Sequence, residues 1–92
     1  MPDKKRLKES LDVVILSFLN KKAMEAMDVP ELIYKKLRRY FSRTTVNELL
    51  DSLENKKLVK SVTAKNKKVY SITKSGRDVV KKASKILKEF GL

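Results

Sequence analysis

The chain has 92 residues, of which 41% are apolar and 37% are charged, and its 23 Lys and Arg exceed its 11 Asp and Glu by a formal net charge of +12. This length suits one domain with a modest core. So basic a small domain attracts polyanions, with nucleic acid as the first candidate and an anionic membrane surface as the second. A generally basic, soluble proteome is the alternative, and the excess of 18 Lys over 5 Arg fits it too.

Several kinds of site are excluded by the composition. The chain has no Cys and no His, which removes disulfides, thiolate metal sites and the commonest general base. Gly76 and Gly91 are the only glycines and cannot build a phosphate-binding loop or a nucleophile elbow. The apolar run 13–19 is too short for a membrane span, and no cleavage site follows it. We therefore expect neither an enzyme nor a metal, cofactor or membrane partner.

The first predicted elements are a helix and a very short strand. Helical periodicity over about 8–19 gives one buried face, made of Leu11, Val14, Ile15, Phe18 and Leu19. Either Asp3 or Ser10 could cap the start of this helix, and Asn20 could end it in a left-handed conformation. Residues 23–27 alternate and predict at most a short strand.

A second helix is predicted over about 29–38. Asp28 and Glu31 have the spacing of a capping box. The helix should bury Leu32, Ile33 and Leu37. Its outer side should carry four cations, namely Lys35, Lys36, Arg38 and Arg39.

The stretch SRTTVNELLDSLENKKLV (42–59) predicts a third helix with Ser42 as its N-cap. Its buried face comprises Val46, Leu49, Leu50 and Leu53. The opposite face comprises Thr44, Glu48, Asp51 and Asn55, with Asn47 on the flank and Arg43 in the first turn. Only about residues 39–41 separate the two helices, as in a helix-turn-helix.

After Leu58 the apolar period changes to about 2. Residues 59–64 and 69–73 predict two strands of a hairpin, whose tip is Lys65, Asn66, Lys67 and Lys68. A last helix should run from near Thr73 or Ser75, with Ser75 and Asp78 as a capping pair, to about Phe90. The predicted fold is mainly α with a β-hairpin, in the order α-β-α-α-β-β-α.

The run 42–59, followed by VYSITKSGR (69–77), resembles the recognition helix and wing of winged-helix repressors of the PadR and MarR kind. Tyr70, Ile72, Thr73 and Gly76 match the Tyr-x-Leu-Thr-x-x-Gly of these families. The small size is also similar to that of winged-helix proteins of archaea and their viruses. The resemblance covers about 10–80 and implies a single winged-helix domain over 1–92, with a core at about 10–73, a wing at 59–73 and a C-terminal helix at 74–91.

Two residues depart from the family patterns. Lys57 stands where a Gly is usual, so the third helix must end in a left-handed turn at some cost or end differently. Asn47 stands where PadR proteins usually have an aromatic residue.

Candidate DNA-binding residues follow from the helix-turn-helix, in which the start of the second helix reaches base edges. Arg43 could pair with guanine, Asn47 with adenine and Thr44 with either, whereas Glu48 would have to accept from a cytosine amino group. Backbone N–H groups at Ser42 could hold a phosphate. Further phosphate contacts are expected from Lys35, Lys36, Arg38, Arg39, Lys65, Asn66, Lys67 and Lys68. The alternative is that the outer face of the third helix contacts only water and that the hairpin tip serves only solubility.

The last helix raises the question of a partner copy. Its apolar stripe exceeds what a small core requires and could form a homodimer interface of Val79, Val80, Ala83, Ile86, Leu87 and Phe90. Tyr34, Tyr40 and Tyr70 are expected at the edge of the core rather than as base-stacking platforms.

Three functional hypotheses remain open. The first is a sequence-specific regulator that binds double-stranded DNA as a homodimer in the cytoplasm, on the nucleoid. The second is an abundant architectural protein that coats DNA through Lys contacts. The third is a winged helix used as a protein-interaction module.

Overall fold

The predicted order of elements is confirmed, except that the last helix is divided in two. The computed structural model describes residues 4–89 and 91, and the side chains of residues 11–89 and 91. Its elements are α1 (Lys4–Lys21), β1 (Met24–Glu25), α2 (Asp28–Leu37), α3 (Arg43–Asn55), β2 (Val59–Ala64), β3 (Lys67–Ile72), α4 (Lys74–Lys82) and α5 (Ser84–Glu89).

Helix α1 lies in the middle of the molecule. The predicted stripe is buried, and Leu16 and Ser17 are buried as well. The Ser17 hydroxyl donates to the Val14 carbonyl at 2.6 Å, so its burial leaves no polar group unsatisfied. Burial of consecutive residues means that α1 is covered on more than one side, and β3, α4 and α5 all pack against it.

The predicted boundaries of α1 are wrong at both ends. The helix begins at Lys4, so Ser10 lies inside it and cannot be its N-cap. Asp3, the other predicted cap, lies outside the described residues. Asn20 does not end the helix, which continues to Lys21.

The three strands form one antiparallel sheet in the order β1-β3-β2. The register of the β2–β3 hairpin runs from Val59 opposite Ile72 to Ala64 opposite Lys67. Lys65 and Asn66 are the two turn residues, with φ of 51° and 66°. Because a two-residue turn of this kind matches the twist of the strands, the hairpin closes tightly. The predicted tip is therefore too long, since Lys67 and Lys68 belong to β3.

Helices α2 and α3 are joined by residues 38–42. The capping box predicted at Asp28 and Glu31 is wrong: Asp28 is the first residue of α2, and Met27 is an N-cap without a side-chain hydrogen bond. The Asp28 carboxylate instead accepts from the Glu25 N–H at 3.3 Å. The end of α2 is marked by Arg38, which has a φ of 56° and donates its N–H to the Tyr34 carbonyl.

Helix α3 begins as predicted and ends in a strained turn. The Ser42 hydroxyl accepts from the Thr45 N–H at 3.2 Å, which confirms the N-cap. At the other end Lys57 has a φ of 62°. The Leu58 N–H donates to the Leu53 carbonyl, and the Lys57 N–H donates to the Glu54 carbonyl. These two bonds form a Schellman motif with Lys57 where Gly is preferred.

The core lies between α1, the buried faces of α2 and α3, and the sheet. The predicted face of α3 is confirmed, with Val46, Leu49, Leu50 and Leu53 at most 2% exposed. Each such side chain contributes about 1.5–3 kcal/mol by leaving water. This burial fixes which face of α3 points outward.

The predicted last helix is interrupted at Ala83, where α4 gives way to α5. Thr73 caps α4 by accepting from the Gly76 N–H, so the predicted Ser75–Asp78 capping pair lies inside the helix and is wrong. Most of the predicted dimer stripe packs on the core of its own chain, with Ala83 and Leu87 buried and Val79 and Val80 partly buried. Ile86 is 39% exposed, and Phe90 lies outside the described residues.

Candidate nucleic-acid interface

The outward face of α3 carries the predicted base-reading side chains. Arg43, Thr44, Asn47 and Glu48 are all exposed. Arg43 and Thr44 lie in the first turn, where backbone N–H groups have no acceptor within the helix. The helix has 13 residues and is therefore about 20 Å long. A cylinder of these dimensions fits the major groove of DNA.

Ser42 and Thr45 hold this end of α3 together. Their hydroxyl oxygens are 3.0 Å apart, and the Ser42 oxygen also accepts the Thr45 N–H. This pair caps the first turn of α3, to which Arg43 and Thr44 belong. The sequence pattern did not single out Thr45.

The cations predicted on the outer side of α2 and its following turn are all exposed, namely Lys35, Lys36, Arg38 and Arg39. Lys35 and Lys36 line an open groove of about 510 Å³ together with Lys21 and Lys22 from the end of α1. The contribution of Lys21 and Lys22 to this groove was not predicted. Their doublet at the end of a predicted helix was the available signal.

The hairpin presents fewer free cations than predicted. Lys65 and Asn66 are at its tip and exposed. Lys67 pairs with Glu25 at 3.8 Å, and Lys68 lies over the Tyr70 ring with its ammonium 5.2 Å from the centroid. Neighbouring strand residues point to opposite faces, so these two lysines diverge. Of the three lysines predicted at the tip, only Lys65 therefore lies in the turn itself.

The environment of Lys68 favours its charged form. Its pKa is raised above the ordinary value, chiefly by the Tyr70 side chain, against an opposing effect of desolvation, while the charges of Glu54 and Asp51 raise it least. Asp51 and Glu54 belong to α3, so carboxylates on one side of that helix interact electrostatically with Lys68 of the hairpin. The Ser61 hydroxyl also donates to the Glu54 carboxylate at 2.5 Å, which fastens β2 to α3.

None of the three tyrosines lies at the edge of the core, where all three were expected. Tyr70 is buried in the core, whereas Tyr34 is 49% exposed and Tyr40 is 78% exposed. Both exposed rings line a groove that Arg43 also borders. The structure thus brings Arg43 together with aromatic side chains that sequence reasoning assigned elsewhere.

Two features are absent from the part of the chain that the structure describes. No helix there is long and apolar enough to cross a membrane. No group of three or more carboxylates is placed there to hold a metal ion.

Solved structures that share this arrangement include transcriptional regulators and a winged-helix DNA-binding protein. A transcriptional regulator from Clostridium thermocellum aligns with a TM-score of 0.81 at 20% identity, over 96% of this chain and 89% of that chain. A winged-helix DNA-binding protein from STIV aligns with a TM-score of 0.74 at 22% identity, over 90% of this chain and 89% of that chain. A PadR family transcription regulator from Clostridium difficile aligns with a TM-score of 0.76 at 21% identity, over 87% of this chain and 88% of that chain.

No family model and no curated protein matches the sequence. The structural matches are all below 25% identity and establish the architecture. In that architecture α2 and α3 are the helix-turn-helix and the β2–β3 hairpin is the wing. The chain therefore has the winged-helix fold that its sequence predicts.

Proposed function

We propose that this chain is a transcriptional regulator that binds double-stranded DNA sequence-specifically as a homodimer in the cytoplasm, on the nucleoid. The observation that carries the proposal is the exposed face of α3, where Arg43, Thr44 and Asn47 stand above a fully buried apolar face. Their donors and acceptors match those of base edges in the major groove. The cations of α2 supply the phosphate contacts that hold the helix in register.

The candidate readers can be tested by comparing specific with random DNA. A preferred site is first selected from a pool of random duplexes. Arg43→Ala and Asn47→Ala should each cost about 1–3 kcal/mol at that site and barely change binding to random duplex. Lys65→Ala at the hairpin tip should weaken binding to all sequences nearly alike. Both affinities can be measured by fluorescence anisotropy.

The control for this comparison is Ser42→Ala, which should cost about 1 kcal/mol of folding stability through the lost cap. It separates loss of a contact from loss of the helix that carries it. Equal losses on selected and random DNA for Arg43→Ala and Asn47→Ala would remove the regulator proposal in favour of an architectural protein.

The architectural function is the second candidate because two carboxylates, Glu48 and Asp51, share the exposed face of α3. A carboxylate is unfavourable near phosphates unless it accepts from a base or pairs with a cation. Binding of every duplex with one affinity would support this candidate. Absence of binding to any duplex would leave the protein-interaction module.

The homodimer can be tested by sedimentation. Two copies, each 42 Å along its longest axis, are large enough to place their α3 helices one helical turn of DNA apart. Ile86 is the exposed large apolar residue of α5, so Ile86→Glu should give a folded monomer. Leu87→Glu would instead disrupt the core and is unsuitable.

The matched control is Lys85→Glu, which puts the same charge on an exposed neighbouring position. We expect the unmodified protein and this control to sediment as dimers at micromolar concentration. A monomeric unmodified protein would refute the dimer and leave the monomer to bind DNA alone.

A further inference from the structure

A cluster of exposed apolar side chains lies beside the start of α3. Of the five large hydrophobic residues that are exposed in the described part of the chain, three line the same groove: Met27, Tyr34 and Tyr40. Pro30 contributes to the same wall, and the groove has a volume of about 370 Å³. A contiguous apolar patch of this kind on a small domain marks an interaction surface.

Both signs of charge border the groove. Arg43 and Glu31 line it, one cation against one carboxylate. Among the sequence neighbours of the other lining residues, Lys35 and Arg39 beside the tyrosines and Asp28 beside the methionine are exposed. The cations exceed the carboxylates by three to two, in a chain of net charge +12, which favours a polyanionic occupant.

The aromatic residues supply what lysine and arginine lack. A tyrosine presents an apolar ring and a hydroxyl that donates a hydrogen bond. It therefore suits a partner in which an apolar group and an anionic group lie within a few ångströms of each other. The backbone of DNA is such a partner, because each deoxyribose lies beside a charged phosphate. Tyrosine hydroxyls are among the groups that bind DNA phosphates.

We propose that the groove formed by Met27, Pro30, Tyr34 and Tyr40 binds the sugar–phosphate backbone of one DNA strand. The two rings pack against deoxyribose, and their hydroxyls donate to phosphate oxygens. Arg43 borders both the groove and the outer face of α3, so the bound strand runs directly from the groove to the bases that α3 contacts. The inference rests on the proposed function and adds to it DNA contacts made by uncharged side chains.

Tyrosine-selective nitration tests the proposal with the unmodified chain. In the free protein Tyr34 and Tyr40 should react and the buried Tyr70 should not, which makes Tyr70 an internal control. Saturation with a random-sequence duplex, verified by gel shift, should protect both exposed rings. The modified positions are identified by peptide mass spectrometry.

Each outcome of this experiment has a distinct meaning. Bound duplex with undiminished nitration of Tyr34 and Tyr40 overturns the inference and leaves DNA binding intact. Absence of a gel shift overturns the proposed function together with the inference. Protection that grows with protein concentration without DNA also overturns the inference, because the groove would then be an interface between copies of this chain.

Substitutions give a second readout through salt dependence. Tyr40→Ala should weaken binding to random duplex about tenfold, and Tyr40→Phe should weaken it about threefold because the ring remains. Neither change removes a charge, so the slope of log K against log salt should stay the same for both. Lys65→Ala is the contrast, since its loss should make that slope shallower by about one. Full affinity for Tyr40→Ala with an unchanged melting temperature would contradict the proposed contact.

Discussion

Duplex DNA should dissociate steeply from this protein as salt rises. If a homodimer neutralises about 6 to 10 phosphates, log K against log salt should have a slope of roughly −5 to −9. Affinity should then fall by about 10³ to 10⁵ between about 50 and about 200 mM salt. The physical reason is counterion release by the exposed cations of α2 and the hairpin tip, in a chain of net charge +12.

Fluorescence anisotropy with a random duplex measures this slope directly. The chain contains no His, so its side-chain charge should change little between about pH 6 and about pH 8, and the slope should be nearly the same at both. A slope near zero would mean that phosphates are not contacted. It would remove nucleic acid as the partner, whatever the affinity at one salt concentration.

The architecture could be predicted because its signals are local. Buried faces recur at helical spacing in α1, α2 and α3, and alternation begins after Leu58 where β2 and β3 form the hairpin. The Ser42 cap was also predictable, because a hydroxyl three residues before a free N–H needs no tertiary contact to act. The left-handed Lys57 was one of two alternatives that the family pattern left open.

Several local predictions failed where tertiary structure decides. Asp28 has the sequence context of an N-cap, but β1 places the Glu25 N–H within its reach, and the carboxylate binds that group instead. The interruption at Ala83 has no Gly or Pro to announce it. This interruption lets α5 pack on α1, where Leu87 joins the core. The apolar stripe of the predicted last helix is for this reason not a free surface.

Exposure of the candidate interface residues could be predicted from the sequence more reliably than their arrangement in space. Exposure of Arg43, Thr44 and Asn47 follows from the helix period alone. The directions of Lys67 and Lys68 depend on the number of turn residues, and one residue more or fewer in the turn exchanges the two faces of a strand. The exposed positions of Tyr34 and Tyr40 depend on how α2 meets α3, which periodicity does not specify.

Gly76 is the position where a small change should have the largest effect on folding. A Cβ there would meet the Leu58 carbonyl oxygen at 2.2 Å and the Ile72 side chain at 2.6 Å. That carbonyl cannot move freely, because it accepts from the Thr73 N–H at 3.1 Å and shares the Thr73 hydroxyl, at 3.0 Å, with the Lys57 carbonyl at 2.8 Å. The Thr73 hydroxyl oxygen in turn accepts the Gly76 N–H at 3.1 Å. These contacts join the end of α3, the base of the hairpin and the start of α4 at one point.

Gly76→Ala should therefore lower the free energy of unfolding by about 3 kcal/mol or more, the upper end of overpacking costs. A domain of this size has roughly 5–14 kcal/mol in total, so the melting temperature should fall by more than about 10 °C. Ser75→Ala is the matched control, since Ser75 is exposed one residue earlier in the same helix turn and should change stability by at most about 0.5 kcal/mol. Urea unfolding followed by circular dichroism compares the two.

If the two variants unfold at the same urea concentration, the junction yields to a methyl group. The Gly that the chain shares with the Tyr-x-Leu-Thr-x-x-Gly pattern is then not there for close packing. The junction could both stabilise the fold and hold the hairpin against α3. If Gly76→Ala is folded but less stable as expected, its affinity for random duplex at low temperature separates these two roles. A hairpin displaced from α3 should lose the Lys65 contact, while the contacts of α2 persist.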